Sequence, residues 1–463
     1  MTGLTAAAVT APREGPLLWP IFKQGSTLAA AMASHALVNL VDLWLVGKCG
    51  PGAVAGVHVA TTVNFLPMIV GNGISVASMA VMARAMGAGR VDDARRVSSR
   101  AFTFMLVLGV VLGVVLATLT VPCVELQGAT GESRAVGIEY LLVANLGTVG
   151  MFALIQVTAS MRVVGETLMP LALLLGANVL NLLLNLILIF GWEPLGIDAM
   201  GAPGSAYGTV IARAVTALVG VWWLSRAAHP LRLTRLQLRH GPPGELRRML
   251  LLGAPQSLQM VVRAGAVIGM TALGAAVAGQ TALTTLGVTT RLDTLLLFSA
   301  AGFASAGTTV VGHAIGAGQP ARARRAGQIA AWLALCFALV LAVILWLVAE
   351  PLIATFVHDV DGAVLAMGSC YLAMGVVGQP GSCFAIAASG GVNGAGRTVA
   401  PLILDAAVYV GVLVPLIWLA TRAGLDPDLR QLWGALAATH VVLAVAHAIY
   451  LRRGRWSEPA ESG

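Results

Sequence analysis

The sequence predicts an all-α polytopic membrane protein, with twelve transmembrane helices in two six-helix lobes related by pseudo-twofold symmetry. Composition is the first indication, because 58% of the residues are hydrophobic and 10% are charged, whereas a soluble domain carries about 25% charged residues. Apolar runs of about 20 residues, long enough to cross the hydrocarbon core of a bilayer, recur along the chain. The two halves of the chain also repeat each other. The lipid bilayer is therefore the expected solvent for most of the surface.

Twelve apolar runs define the predicted spans, with limits good to a few residues. The second and eighth runs are too long for one straight helix, so each is expected to include a tilted or broken stretch. The predicted spans are residues 24–47, 52–84, 101–122, 136–159, 168–191, 204–225, 250–275, 281–313, 327–349, 364–389, 400–421 and 432–451.

Basic and acidic residues alternate from loop to loop. Basic residues precede span 1 and follow the even-numbered spans, as Arg95 and Arg96 do after span 2. The remaining loops carry mainly acids. Because basic loops stay on the cytoplasmic side, we expect a multi-pass protein of the inner (plasma) membrane with both termini in the cytoplasm. The arginine clusters are short and lie between apolar runs, so nucleic acid is not an expected partner.

The predicted domain organisation follows from the spans and from one basic linker. The linker lies in the stretch SRAAHPLRLTRLQLRHGPPGELRR at 225–248, whose Pro-Pro pair breaks regular structure. The predicted parts are a cytoplasmic N-terminal segment (1–23), an N-lobe (24–225), the cytoplasmic basic linker (226–248), a C-lobe (249–451) and a cytoplasmic tail (452–463).

Internal similarity supports the two lobes. AMGAGRVDDARR at 85–96 returns as AIGAGQPARARR at 314–325, with seven of twelve positions identical, and GETLMP at 165–170 returns as GRTVAP at 396–401. The glycines of the first pair can end a helix and turn the chain. Because each half has an even number of spans, both halves cross the membrane in the same direction, as parallel repeats. Duplicated halves around a central site are typical of a transporter.

These motifs, in their order and spacing, resemble the multidrug and toxic compound extrusion (MATE) family over about residues 20–450. NLVDLWLVGKCG resembles the first helix of that family and its exit loop, and GAPGSAYGTVIAR resembles the sixth helix. The resemblance implies the MATE fold and a secondary antiporter, not an enzyme. It also implies a monomer that exports amphipathic, drug-like compounds, mainly organic cations, in exchange for H⁺ or Na⁺, with no other cofactor.

Within the family, the acid in span 1 makes this chain resemble the DinF-like branch. Carried over position by position, the polar cluster that takes the coupling proton in that branch would be Asp42, Tyr140, Asn181 and Thr209. The family pattern has a second acid in the fifth helix, where this chain has Asn185. An amide cannot titrate, so a single carboxyl group remains. This departure favours H⁺, with Na⁺ near Asp42 as the alternative.

The residues themselves leave two interpretations of this cluster open. Asp42 lies inside an apolar run, where a charge costs at least a few kcal/mol, so it is expected to face the lobe interior. It is either the coupling residue or a structural acid satisfied by polar neighbours such as Asn39, three residues earlier on the same helical face. Asn178, Asn181 and Asn185 form a polar stripe along span 5. The stripe could coordinate water or a cation, or it could hydrogen-bond neighbouring helices.

The C-lobe carries its own charged residues inside predicted spans: Arg263, Arg291, Asp293 and Asp405. Asp293 could line a cavity or pair with an arginine. Asp405 could be a second titrating group or an ion-pair partner near the cytoplasmic end. His440 and His447 share one face of span 12, either as hydrogen-bonded histidines or as a proton relay, and no metal site is expected from them.

Other functions are less consistent with the sequence than secondary transport. It contains no HExxH zinc motif, no GxSxG nucleophile motif and no GxxxxGK[ST] phosphate-binding loop, so a membrane enzyme and an ATP-driven pump are not indicated. The alternatives that remain are an exporter dedicated to one metabolite and a lipid-linked sugar flippase of the wider superfamily. The five cysteines form no CxxC pair and are interpreted as small apolar side chains.

Overall fold

A computed structural model of the chain describes residues 15–233, 244–356, 362–422 and 429–458. In those ranges the regular structure is helical, and the only β-pairing is an isolated bridge between Trp192 and Ile197. Most of the predicted N-terminal segment, the middle of the basic linker and the end of the tail lie outside the described residues.

The first of two compact units contains Ala33–Met86 and Arg90–Gly253. Within it α7 packs against α8, and α6 packs against α3 and α8. Its helices are the C-terminal part of α1 (Leu18–Gly47), α2 (Pro51–Gly87), α3 (Val91–Thr118), α4 (Thr120–Leu126), α5 (Gly131–Leu146), α6 (Thr148–Val163), α7 (Leu168–Phe190), α8 (Ala202–Leu224) and the start of α9 (Glu245–Gly316).

The second unit contains Ala11–Met32, Gly87–Gly89 and Ala254–Gly463. Within it α12 packs against both α10 and α15. After α9 come α10 (Pro320–Leu347), α11 (Ala349–Phe356), α12 (Gly362–Gly394), α13 (Val399–Val408), a π-helical turn (Tyr409–Leu413), α14 (Val414–Arg422) and α15 (Leu429–Arg453).

The number of spans agrees with the prediction. Among the described residues, eleven helical segments are long and apolar enough to cross a membrane, and the bent pair α5 and α6, counted as one span, makes twelve. Large apolar side chains on these helices remain exposed, among them Leu218 (69%) and Trp222 (60%) on α8. Such a surface is stable when lipid, not water, surrounds it.

The first helix differs from the prediction, which placed the whole of span 1 in the N-lobe. The N-terminal part of α1, up to Met32, belongs to the second unit. Ile21 is fully buried there among apolar residues of α9 and α10. Gly25 explains the close packing, because a Cβ at this position would overlap the ring of Phe303.

Two helix boundaries also differ from the prediction. Span 4 is two helices, α5 and α6, bent by 45° at Gly147, where a Cβ would overlap Val210 of α8. Spans 7 and 8, by contrast, belong to one helical element, α9, which runs from Glu245 to Gly316. Within it Glu245–Gly274 and Thr285–Gly316 are each long and apolar enough to cross a membrane.

The repeated glycine motif has the same backbone in both copies. α2 ends at Gly87 and α9 ends at Gly316. Two residues later the chain adopts a left-handed conformation, with φ of 76° at Gly89 and 71° at Gly318. Glycine adopts this conformation without the steric cost that a Cβ brings. The match in sequence therefore corresponds to a match in structure.

Candidate functional site

The first unit places Asp42 of α1 beside the amide stripe of α7. The side chain of Asp42 is half-buried, and the Nδ2 amide of Asn185 donates a hydrogen bond to its Oδ1. Asn185 is fully buried. A donor to a carboxylate in a membrane-spanning helix offsets part of the cost of removing that charge from water.

The three asparagines of α7 are all buried and face neighbouring helices. Asn181 and Asn185 donate to each other's Oδ1 over 3.4 Å. Asn181 also donates to Oγ1 of Thr209 on α8 over 3.0 Å. Their spacing of three and four residues puts them on one face of the helix, so the predicted polar stripe is present.

The third asparagine of the stripe, Asn178, connects α7 to α1. Its Oδ1 is 3.2 Å from Nδ1 of His35, and its Nδ2 donates to Oγ of Ser34 over 3.1 Å. Because an amide oxygen only accepts, the bond to His35 places a hydrogen on Nδ1 of that imidazole. The asparagine stripe of α7 therefore hydrogen-bonds α1 at two positions. Asn178 bonds Ser34 and His35, and Asn185 bonds Asp42.

Tyr140 of α5 and Arg213 of α8 complete this group of residues, which we call the Asp42 cluster. Tyr140 is buried, hydrogen-bonds Ser205, and interacts electrostatically with Asp42 and Arg213. Arg213 interacts electrostatically with Asp42, and its NH1 lies 3.6 Å from the thioether sulfur of Met151. A thioether is a weak acceptor for an arginine.

A glycine of α8 makes room for the amide of Asn185. A Cβ on Gly208 would overlap Oδ1 of Asn185. Side-chain volume at position 208 therefore decides whether the amide can lie between α7 and α8 and reach Asp42.

Asn39 was predicted to lie beside Asp42, but the structure places it outside the Asp42 cluster. Its side chain is exposed, and the amide that bonds Asp42 is that of Asn185. The helical spacing of Asn39 and Asp42 is as expected, but α7 approaches α1 on the side of Asp42. The cluster consists of Asp42, Tyr140, Asn178, Asn181, Asn185, Thr209 and Arg213.

In the second unit Asp293 of α9 is held by two side chains of α12. The hydroxyl of Tyr371 donates to Oδ2 over 2.5 Å, and Nε2 of Gln379 donates to the same atom over 2.8 Å. Asp293 is buried, whereas Arg291 is exposed. Among the described residues the hydrogen-bond partners of Asp293 are thus neutral, and the pairing with an arginine, one of its two predicted roles, is not observed.

Asp405 of α13 forms the ion pair that was one of its two predicted roles. Nε of Arg263 donates to Oδ2 over 2.5 Å, and Nε2 of Gln259 donates to the same oxygen over 2.9 Å. Asp405 is completely buried. Ser389 of α12 and His447 of α15 lie beside the pair.

A sequence profile decides the family. The MatE profile matches residues 28–187 and 255–419, which together are more than half of the chain. The chain belongs to the MatE family. It is a multi-pass membrane transporter with the two-lobed fold of this family.

Curated relatives and a solved structure agree with this assignment to MatE. "Probable multidrug resistance protein NorM" of Deinococcus radiodurans is 28% identical over 448 residues, covering 95% of each chain. "Probable multidrug resistance protein YoeA" of Bacillus subtilis is 26% identical over 364 residues, covering 77% of this chain and 78% of the relative. An outward-facing multidrug resistance MATE family transporter superposes with a TM-score of 0.88 at 21% identity, covering 98% of each chain.

Several polar residues in the two units were not predicted from the sequence. Arg213 belongs to the Asp42 cluster, and His35 bonds its Asn178. In the second unit Gln259 bonds Asp405, Gln379 bonds Asp293, and Ser389 accepts from Gln259. The signal for Arg213 was a lone arginine inside the apolar run of span 6. A polar residue in an apolar run is visible in a sequence, but its partner on another helix is not.

Proposed function

We propose that this MatE protein is a proton-coupled multidrug exporter that moves amphipathic organic compounds, including organic cations, out of the cell by alternating access. The observation that carries the proposal is the contact between Asp42 and Asn185, inside a cluster that also contains Arg213. The relatives named as multidrug resistance proteins support a broad range of substrates.

A carboxyl group in the Asp42 cluster can act as a switch because its charge is balanced locally. Ionised Asp42 accepts the hydrogen bond of Asn185 and offsets the positive charge of Arg213. When Asp42 takes up a proton, the net charge of the cluster rises by one and Arg213 loses its counter-charge. A cationic substrate close to the cluster is then repelled, and the protonated acid becomes a hydrogen-bond donor.

This switch gives the order of events in the cycle. Facing outward, Asp42 binds a proton and the substrate is released. Facing inward, the proton leaves to the cytoplasm, and the ionised carboxylate allows the substrate to bind. The substrate and the proton therefore bind to different states of one cluster, as an exchange mechanism requires.

The energy of one proton is sufficient for this work. Inward movement of a proton supplies about 2.3 kcal/mol per 100 mV of membrane potential, and about 1.4 kcal/mol per unit of pH difference. A tenfold gradient of a neutral compound costs about 1.4 kcal/mol. Either component alone can therefore sustain such a gradient.

A proton fits this cluster better than Na⁺. A hard cation binds best to several oxygen ligands, of which carboxylates contribute charge. Asn185 replaces the second acid of the family pattern, so Asp42 is the carboxylate of the cluster and the Nδ2 donor of Asn185 already bonds it. We infer that H⁺ is the coupling ion.

We also infer that the protein works as a monomer and that both termini are cytoplasmic.

Transport into liposomes driven by defined gradients tests the function. Purified protein is reconstituted, and a fluorescent organic cation such as ethidium is followed under a pH gradient and, separately, under a Na⁺ gradient. We expect movement that is driven by the pH gradient and that stops when an ionophore collapses it. Movement driven only by Na⁺ would contradict the coupling scheme. No movement under either gradient would contradict multidrug export and favour a dedicated exporter or a flippase.

A further inference from the structure

The second unit contains a polar cluster that the proposed function does not use. Asp405 of α13 lies among side chains of three other helices: Gln259 and Arg263 of α9, Ser389 of α12 and His447 of α15. We call these five residues the Asp405 cluster. Asp405, Ser389, Gln259 and His447 are buried, and the side chain of Arg263 is 18% exposed.

The two oxygens of Asp405 have different surroundings. Oδ2 accepts hydrogen bonds from Arg263 at 2.5 Å and from Gln259 at 2.9 Å. Oδ1 is buried, and no described residue donates a hydrogen bond to it. Its polar neighbour is Nε2 of His447, at 3.4 Å. A buried carboxylate oxygen without a donor is costly, so this atom requires an explanation.

The tautomer of His447 is fixed by the backbone. Nδ1 lies 3.1 Å from the carbonyl oxygen of Leu443. A carbonyl oxygen only accepts, so Nδ1 carries a hydrogen. In the neutral imidazole Nε2 is then an acceptor. The neutral side chain therefore brings two acceptors face to face, Nε2 of His447 and Oδ1 of Asp405.

Ser389 does not resolve this conflict. Its Oγ is 3.2 Å from Nε2 of His447, but the hydroxyl donates to the carbonyl of Ala385 over 2.7 Å. The same Oγ accepts from Gln259 over 3.1 Å and from Arg263 over 3.4 Å. With its one hydrogen directed at Ala385 and its two lone pairs accepting from Gln259 and Arg263, Ser389 supplies no hydrogen to the imidazole.

One added hydrogen resolves the conflict between Nε2 of His447 and Oδ1 of Asp405. A proton from the aqueous phase that binds the lone pair of Nε2 turns this contact into a charge-assisted hydrogen bond. No other bond forms or breaks, and the proton returns to water by the reverse step. Arg263, which already pairs with Asp405, repels the added positive charge, so proton binding depends on where its guanidinium lies.

Three further titratable side chains lie around the pair among the described residues. They are Tyr409 of the π-helical turn and Cys383 of α12, which interact electrostatically with Arg263, and His440 of α15, which lies against the ring of Tyr409. The π-helical turn begins one turn after Asp405. Such turns occur often at functional sites.

We propose that His447 and Asp405 hold one exchangeable proton, so that the second unit contains a proton-binding site of its own, separate from Asp42. This site adds to the proposed function and does not depend on it. Arg263 is the movable counter-charge that competes with the proton for Asp405.

Nitrogen NMR of the histidine rings tests the proposal directly. The full-length protein, labelled with ¹⁵N-histidine, is placed in lipid nanodiscs and titrated between about pH 5 and about pH 9, the range in which histidines change charge. The ring signals that are lost in His447→Gln belong to His447. His440→Gln is the matched control, because it removes a buried histidine of the same helix and leaves the contact with Asp405 in place.

The expected result is a change of His447 from the Nδ1–H tautomer to the imidazolium within this range. Asp405→Asn abolishes that change or moves it to lower pH, whereas Ser389→Ala and Asp42→Asn preserve it. If Asp405→Asn does not give a monodisperse protein, the wild type and Ser389→Ala still show whether His447 becomes an imidazolium. A His447 that stays neutral in both across the whole range, or an imidazolium that is unaffected in a folded Asp405→Asn protein, would overturn the proposal. Failure of transport in Asp42→Asn bears only on the proposed function.

Discussion

At the scale of single residues, the amide at position 185 sets the chemistry of Asp42. A second acid there would place two like charges in contact, and one proton would be retained between them. Asn185 instead donates a hydrogen bond to the carboxylate. The pH at which Asp42 exchanges its proton is therefore expected to depend on which of the two side chains occupies position 185.

Replacing Asn185 by an acid tests this dependence. In Asn185→Asp, the second carboxylate disfavours loss of the shared proton, so the pH of half-maximal proton-driven transport should rise by about one unit or more. The measurement is the initial rate of transport into liposomes as a function of pH. Asn185→Ser, which adds no charge, should keep the wild-type pH dependence. Identical pH profiles for Asn185→Asp and wild type would argue against coupling through Asp42.

The space beside Asn185 gives a second test. In Gly208→Ala, the added methyl group overlaps Oδ1 of Asn185 and displaces the amide from Asp42, so transport per folded protein should fall. Overpacking costs about 1–3 kcal/mol, which a thermal melt would also record. Gly176→Ala is the control, since a Cβ at 176 has no neighbour closer than 4.0 Å. Equal activity in the two variants would show that the position of Asn185 is unimportant.

The composition of this site could be predicted only in part. Asp42, Asn181 and Thr209 followed from the resemblance, and the spacing of the asparagines indicated one helical face. Asn39 fulfilled the same spacing rule and still lies away from the cluster, because helical periodicity fixes a face and not the helix that packs against it. Arg213 and His35 could not be assigned for the same reason, as their neighbours lie on other helices.

At the scale of elements, the apolar runs determined the helices and the small residues determined how closely they pack. Runs of adequate length gave the right number of spans. The bend at Gly147, the assignment of spans 7 and 8 to one helical element and the π-helical turn after Asp405 were not predicted. Each depends on local backbone geometry and neighbouring helices, which hydropathy does not record.

Close packing in the second unit depends on Gly390 of α12. A Cβ there would overlap the backbone of Ala304 in α9, and backbone cannot move aside as a flexible side chain can. Gly390→Ala should therefore lower stability by about 1–3 kcal/mol, measured as a lower midpoint of thermal unfolding in detergent. Gly434→Ala, at a position with open space, should change stability by at most about 1 kcal/mol, and in the favourable direction. A Gly390→Ala protein as stable as wild type would contradict this packing.

At the scale of the whole molecule, each unit carries an acid cluster of its own, around Asp42 in the first and around Asp405 in the second. With an even number of spans, both ends of the chain are expected on one side of the membrane. The charge pattern of the loops predicts that this side is the cytoplasm.

Reporter fusions test this orientation. Green fluorescent protein at the C-terminus should fluoresce, and alkaline phosphatase at the same position should be inactive, because the first folds in the cytoplasm and the second requires an oxidising compartment. Phosphatase inserted at Gly196, in the acidic loop between α7 and α8, should be active. Active phosphatase at the C-terminus would invert the orientation and with it the direction of export.

The central claim is that Asp42 takes the coupling proton, and transport by Asp42→Asn measures it most directly. Two assays are run on the same liposomes: accumulation of the organic cation driven by a pH gradient, and exchange of labelled for unlabelled cation at equal pH. We predict that Asp42→Asn abolishes pH-driven accumulation and retains exchange, since the neutral amide can neither bind nor release a proton while the lobes still move. Accumulation at the wild-type rate in Asp42→Asn would contradict the account and assign coupling to another acid.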